Sequence, residues 1–383
     1  MPLTRRAFAV GSAVVLTGTA QAARVPFVEA VLGQMAALPD GPVLLNSYLV
    51  QAGLGGDAFD LTQANAAYVY DNALAGLFLL AAGERAAARR IGQALALAQA
   101  HDRKFADGRL RNAYAAGAMS VPAKLAGFWD KQAGRWAEDP YQVGTDTGPV
   151  AWAMLLWAAL GMRAPADDAG NFIDATLRAP VGYYGGFYGF DPNQQRLLWQ
   201  STEQNTDLTV AFHAVNRNED AAHARAFVQA MHNTASNQFY SGTAPDGAKN
   251  PLLAADAGIW PYLAGLGDAG SALTAIKSLQ RGNGIGFSAA STSIWLEGTA
   301  FAALALRKMG NDLAASFLQT IRNNISPEGY VYATVAPSLA TGLTVGPSLQ
   351  QNESELAFTY YRRPSLSATS WAGLAMLGIN PLS

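Results

Sequence analysis

The sequence predicts an all-α fold in which six inner helices alternate with outer ones around a ring, an (α/α)6 toroid. Three observations carry this expectation. Apolar residues recur at helical spacing along most of the 383 residues, while the strict alternation of a half-buried strand is scarce. The helical stretches fall into two kinds, one apolar all round and the other amphipathic. The two kinds alternate with a repeat of roughly 50 to 70 residues, which is the spacing of stacked supersecondary units.

The elements follow in order. MPLTRRAFAVGSAVVLTGTAQAA opens the chain with paired arginines, an apolar stretch from Ala7 to about Thr17, and Ala20-Gln21-Ala22 as a small-residue cleavage site. Residues 1–22 therefore read as a cleavable export signal, and Thr4-Arg5-Arg6-Ala7-Phe8 is twin-arginine-like. Residues 23–383 then form one (α/α)6 domain in the periplasm or outside the cell. The first apolar period runs Phe27–Leu38. Apolar helices are expected at Asn72–Ala82, Val150–Met162, Asp207–Val215, Ile259–Leu266, Glu297–Met309 and Ser370–Leu377, each starting at or just after an acid or small polar cluster. Amphipathic or solvated helices fall between them at Ala86–Ala100, Ala221–Ala235, Ala272–Gln280 and Asp312–Asn323. Gly, Pro, Asp and Asn punctuate the connections. An apolar helix belongs inside and an amphipathic one faces water, so the alternation specifies two concentric rings.

Composition narrows the partners. Net charge is −2 and no run of five basic residues occurs, so the electrostatic footprint for a nucleic acid is missing. The apolar stretch of the signal is too short to span a bilayer comfortably, and no stable membrane insertion is expected of the mature chain. The absence of cysteine excludes disulfides, thiol catalysis and Cys-ligated metals. No HExxH, EF-hand loop or histidine pair at ligand spacing occurs, so neither a metal nor another cofactor is expected. Of the four histidines, His213 reads as a core residue of an apolar helix.

Several segments, YDNALA, TDTGPVAW, STEQNTDL, WLEGTAFA and SATSWAGLAMLGINP, place acids and aromatics at the starts of inner helices. In this the chain resembles the six-hairpin (α/α)6-toroid glycosidase superfamily, over most of its length from about Val25 to Leu382. The resemblance implies a cup at one end of the inner ring where carbohydrate binds. That superfamily also holds polysaccharide lyases, epimerases and proteins that only bind, so it implies carbohydrate more firmly than any one reaction.

Glycoside hydrolysis needs one carboxylic acid to protonate the leaving oxygen and a second carboxylate as base or nucleophile. The inner-helix starts offer Asp71, Asp146, Glu203 with Asp207, Asp256 and Glu297. Glu203 stands out as the acid because it follows Trp199, adjoins Gln204 and Asn205, and has Asp207 one helical turn on. Asp146, Asp207 or Asp71 serves as its partner. The structural alternative for each Asp is a helix cap or a buried acceptor, and Asp256 is weighted toward a cap. Glu297 reads equally as a substrate-binding or a structural acid.

Sugars present apolar CH faces that aromatic rings match. VGYYGGFYGFDPNQQRLLW sets Tyr183, Tyr184 and Tyr188 among glycines, as a rim loop or as a hairpin packed on helix ends. Trp199, Asn205, Trp152 and Trp295 complete the expected binding set, with Trp260 and Trp371 near other helix starts. Arg109, with Arg111, suits an acidic sugar if it reaches the cup, and is otherwise part of a solvated loop. Three functions remain open: a glycoside hydrolase, a polysaccharide lyase acting on a uronic-acid glycan, and a glycan-binding protein without turnover.

Overall fold

A computed structural model describes residues 26–50, 58–349 and 357–383; the export signal read at 1–22 lies outside them. Among the described residues twelve helices build the rings. The outer ones are α1 (Pro26–Ala36), α3 (Arg85–Ala100), α5 (Arg163–Leu177), α7 (Asn218–Ala230), α9 (Ala269–Leu279) and α11 (Leu313–Arg322). The inner ones are α2 (Val69–Ala81), α4 (Thr147–Leu160), α6 (Thr202–Ala214), α8 (Ala255–Leu263), α10 (Leu296–Lys308) and α12 (Leu366–Leu377). Each inner helix packs on the next, and α12 packs on α2, so the inner ring closes. Each outer helix packs on the inner helix before it in the chain, except that α1 packs on α12.

Sequence explains which ring a helix joins. α11 buries only Ala314, Phe317, Leu318 and Ile321, a single stripe at i, i+3, i+4 and i+7. α4, TGPVAWAMLLWAAL, has no polar face beyond its first turn and is buried almost throughout. It ends where Gly161 adopts a left-handed conformation (φ 74°) that glycine takes without penalty.

The inner helices all begin alike. The residue before each is extended, and the first helical N–H donates to a loop carbonyl from the following repeat. These bonds are Val69–Asn112 (2.9 Å), Thr147–Gly185 (2.9 Å), Thr202–Ser241 (2.9 Å), Ala255–Phe287 (2.8 Å), Leu296–Ala333 (2.9 Å) and Leu366–Ser47 (2.8 Å). They satisfy donors that a helix start leaves orphaned and bring all six starts to one rim.

The all-α class holds, with short antiparallel pairs in the connections. Residues 145–146, 186–188 and 195–197 form a three-stranded sheet, and Ser338–Thr344 pairs with Ala357–Tyr361 as a ribbon. The inner helices start earlier than their apolar periodicity, at 202 rather than 207 and at 255 rather than 259 for example. The reason is that the first turn faces the cup and is polar there, so the apolar period begins a turn late. The outer helix expected to reach Ala235 stops at Ala230, where a short strand begins at His232. His213 is not a core residue; it is exposed at the end of α6 and its Nδ1 pairs with Asn218.

Candidate active site

The common start gives the six inner helices a shared register. Their second residues are Tyr70, Gly148, Glu203, Asp256, Glu297 and Ser367. Their sixth residues, one turn deeper on the same face, are Leu74, Trp152, Asp207, Trp260, Phe301 and Trp371. Tyr70, Gly148, Glu203, Asp256 and Glu297 of the upper ring line a cavity of about 190 Å³, and Trp152 and Trp260 of the lower ring reach it as its floor. In that floor the Trp152, Trp260 and Trp371 rings meet edge-on or tilted at 5.5, 5.7 and 5.8 Å between centroids.

Glu297 is held by two hydroxyls, with Tyr70 Oη donating to Oε1 at 2.6 Å and Ser367 Oγ to Oε2 at 2.8 Å. Trp371 Nε1 in turn donates to Tyr70 Oη at 2.8 Å. Burial pushes the Glu297 carboxyl up to about 8, against the Tyr70 hydroxyl, which favours the ionised form. Asp71, beside this network, is pushed by burial to about 7 while the Ser47 and Ser367 hydroxyls work the other way. Burial takes Asp146 to about 7 as well, offset by Asn112 and Tyr141.

Glu203 and Asp256 differ most in their surroundings. Burial, then the like charges of Asp256, Asp207 and Asp146, drive the Glu203 carboxyl well above the usual carboxylate range. Asp256 is raised by burial only to about 6, because its Oδ1 accepts the Ala257 N–H at 2.6 Å. Asp207 lies in the floor with no exposure, and burial raises its carboxyl far up. The Trp152 indole faces it and favours its ionised form, yet neither of its oxygens has a partner in hydrogen-bonding geometry among the described residues.

The cavity wall gathers most of the residues expected from sequence: Asp146, Glu203, Glu297, Trp152, Tyr188, Trp199 and Trp295. Asp71 lines an adjoining cavity of about 350 Å³, and Asp207 lies beneath the cup rather than on its wall. Four expectations are corrected. Tyr183 is fully buried away from the cup, its ring tilted on Phe212 and its hydroxyl bonded to Arg178 and Asp220. Tyr184 lies under the Arg196 guanidinium, and its carbonyl accepts the Thr147 hydroxyl. Asn205 is a buried strut, bonded to both backbone groups of Tyr183 and to the Ser201 carbonyl. Arg109 is gripped by Asp107 at 2.6 Å and stacked on Phe105 and Phe187. The aromatic segment is therefore a hairpin whose alternation sends Tyr188 inward and Phe187 outward.

The sequence weights Asp256 toward a cap and gives no sign of Tyr70 or Tyr141 on the cup wall. The signal for Asp256 was its register: Asp256 precedes Trp260 by four, as Glu297 precedes Phe301 and Glu203 precedes Asp207.

No family model matches the chain, and no curated protein matches it. Solved structures do. A glycosidase in complex with glucose superposes with a TM-score of 0.58 at 14% identity, over 94% of this chain and 98% of the other. The fold is an (α/α)6 toroid. A D-mannose isomerase gives a TM-score of 0.58 at 11% identity, over 92% of this chain and 96% of that one. A bacterial glucoamylase complexed with acarbose gives 0.50 at 11%, over 83% of this chain and 50% of that one. At these identities the likeness is one of fold, and the chemistry of this toroid has to come from its own cup.

Proposed function

We propose that the protein is an exported glycoside hydrolase acting on a neutral carbohydrate, with Glu203 as general acid and Asp256 as general base. The reading rests on one observation: two carboxyls in one cup whose environments drive them apart, Glu203 high and Asp256 lowest of the set. Above about pH 6 Asp256 is ionised, and Glu203, held well above the usual carboxylate range, is the better placed of the two to act as proton donor. Glu203 gives that proton to the glycosidic oxygen as the C–O bond breaks. Water adds its oxygen to the anomeric carbon, and its proton passes to Asp256. Glu297, fixed by Tyr70 and Ser367, is a substrate-binding acid in this scheme.

The lining favours hydrolysis over elimination. Among the described residues neither cavity carries Lys, Arg or His on its wall, while Asp71, Asp146, Glu203, Asp256 and Glu297 all face one or the other. A lyase has to neutralise a uronate carboxylate, and these walls offer no cation to do so. Arg109 and Arg111, the arginines expected to serve it, are committed to Asp107 and to Asp102 with Asp191. The glycosidase and glucoamylase among the solved structures of like fold support the reading.

The test is turnover of a panel of neutral and uronic glycans, with free mannose and cellobiose included. New reducing ends from a neutral glycan are expected. Glu203→Gln and Asp256→Asn should each lower kcat about a hundred- to ten-thousand-fold. The pH profile of kcat/KM should be bell-shaped with its acid limb near 6, and that limb should vanish in Asp256→Asn. An unsaturated uronic product would mean a lyase, and interconversion of free sugars without hydrolysis an isomerase. Full activity in Asp256→Asn with loss in Asp146→Asn would transfer the base to Asp146.

A further inference from the structure

The two cavities differ in what surrounds them. The outer one, about 350 Å³, carries Asp71 but none of Asp146, Glu203 or Asp256, which all line the inner one of about 190 Å³. The walls join through shared residues, Tyr70, Tyr141 and Tyr360 among them, so a chain in the outer cavity leads into the inner one. Among the described residues, two packed groups bound the inner cavity. One is the indoles of Trp152 and Trp260, packed on each other and on Trp371 beneath them. The buried Trp199, also on its wall, donates Nε1 to the Gly346 carbonyl at 3.0 Å and ties the segment after the 195–197 strand to the segment after the 338–344 strand. In size the inner cavity is close to the roughly 150 Å³ that holds a single benzene ring, so it accepts one sugar ring and little more.

We propose that the enzyme cuts from a chain end, with one terminal sugar residue seated in the inner cavity and the rest of the chain leaving through the outer one. Trp199 and its bond to Gly346 are the stop that sets this length. The proposal rests on the hydrolase reading above, since it assigns the bond that Glu203 and Asp256 break to the mouth of the inner cavity.

The experiment follows early products by mass spectrometry from reducing-end-labelled oligosaccharides, disaccharide to hexasaccharide, of whichever neutral glycan the panel shows to be cleaved. The wild-type protein should release monosaccharide alone, with chains shortened by one residue at a time. Trp199→Ala, which removes the stop, should add disaccharide to the first products. Trp199→Phe, which keeps a six-membered ring but loses the pyrrole half of the indole and its Nε1 donor, should add less disaccharide than the alanine variant and serves if that variant does not fold. Di- or trisaccharides among the earliest wild-type products would overturn chain-end action while leaving the hydrolase intact. No cleavage of any glycan would overturn both.

Discussion

Each acid in the cup is a group that the fold holds against its own preference. Asp207 shows this most sharply, being buried in an aromatic floor with both oxygens unpartnered among the described residues. Its carboxyl binds a proton more tightly in the folded than in the unfolded chain, as do Asp256 (about 6), Asp71 and Asp146 (about 7) and Glu297 (about 8). For such groups the native state carries more protons than the unfolded one, so stability falls as pH rises. The window runs from the ordinary carboxylate range, about 4, to about 8. Thermal melts should therefore drop between pH 5 and pH 8. Asp207→Asn, isosteric with the protonated acid, should raise Tm at pH 8 by at least about 2 °C, with the gain shrinking at pH 5. A variant less stable than wild type at both values would mean that Asp207 anchors a contact as an anion.

At the scale of elements, the strict requirement sits where a hairpin strand passes the start of an inner helix. Gly186 and Gly242 occupy equivalent places, opposite Asp146 and Ser201, with φ of 138° and 155°. A Cβ on Gly186 would meet the Thr145 carbonyl oxygen at 1.9 Å. Gly186→Ala should destabilise by well over about 1 kcal/mol, read as a lower urea midpoint, and reduce turnover because Asp146 shifts with the strand. Unchanged stability would show that this backbone relaxes freely. These pairings were not legible in the sequence. Each strand is two or three residues long, too short for alternation to register, and its partner lies tens of residues away. The helices were legible because their apolar periodicity is local. Their first turns were not, since a polar first turn at a cup looks like a loop. The same blindness hid Asp256, which sits in the first turn and lines the cup, and made Tyr183, Tyr184 and Asn205 look like rim residues. Only the fold shows that a Gly-rich aromatic run spends most of its rings on packing.

At the scale of the molecule, alternation of apolar and amphipathic helices carried the toroid, and two concentric rings are what the structure shows. Among the described residues no helix is long and apolar enough to cross a membrane. The paired arginines at Arg5 and Arg6 predict delivery by a route that carries folded chains. Replacing both by lysine should trap the protein inside the cell, as assayed by fractionation and N-terminal sequencing of the exported form. Undiminished export of the double variant would point to an ordinary secretory signal.

The seam between Leu366 and Ser47 bears on the order of events during synthesis. The last inner helix takes its first backbone partner from the beginning of the chain, and α1 waits for α12 to cover it. Five repeats can assemble as they emerge from the ribosome, but the seam cannot form until Leu366 has been made. Its closure joins the most distant parts of the chain, the class of contact that forms slowly. Until then α1 has an apolar face without its cover and the rim lacks one sixth of its wall. A chain that has not reached Leu366 is therefore an open arc with neither a finished cup nor a finished core, and the arrival of α12 is the event that makes the site.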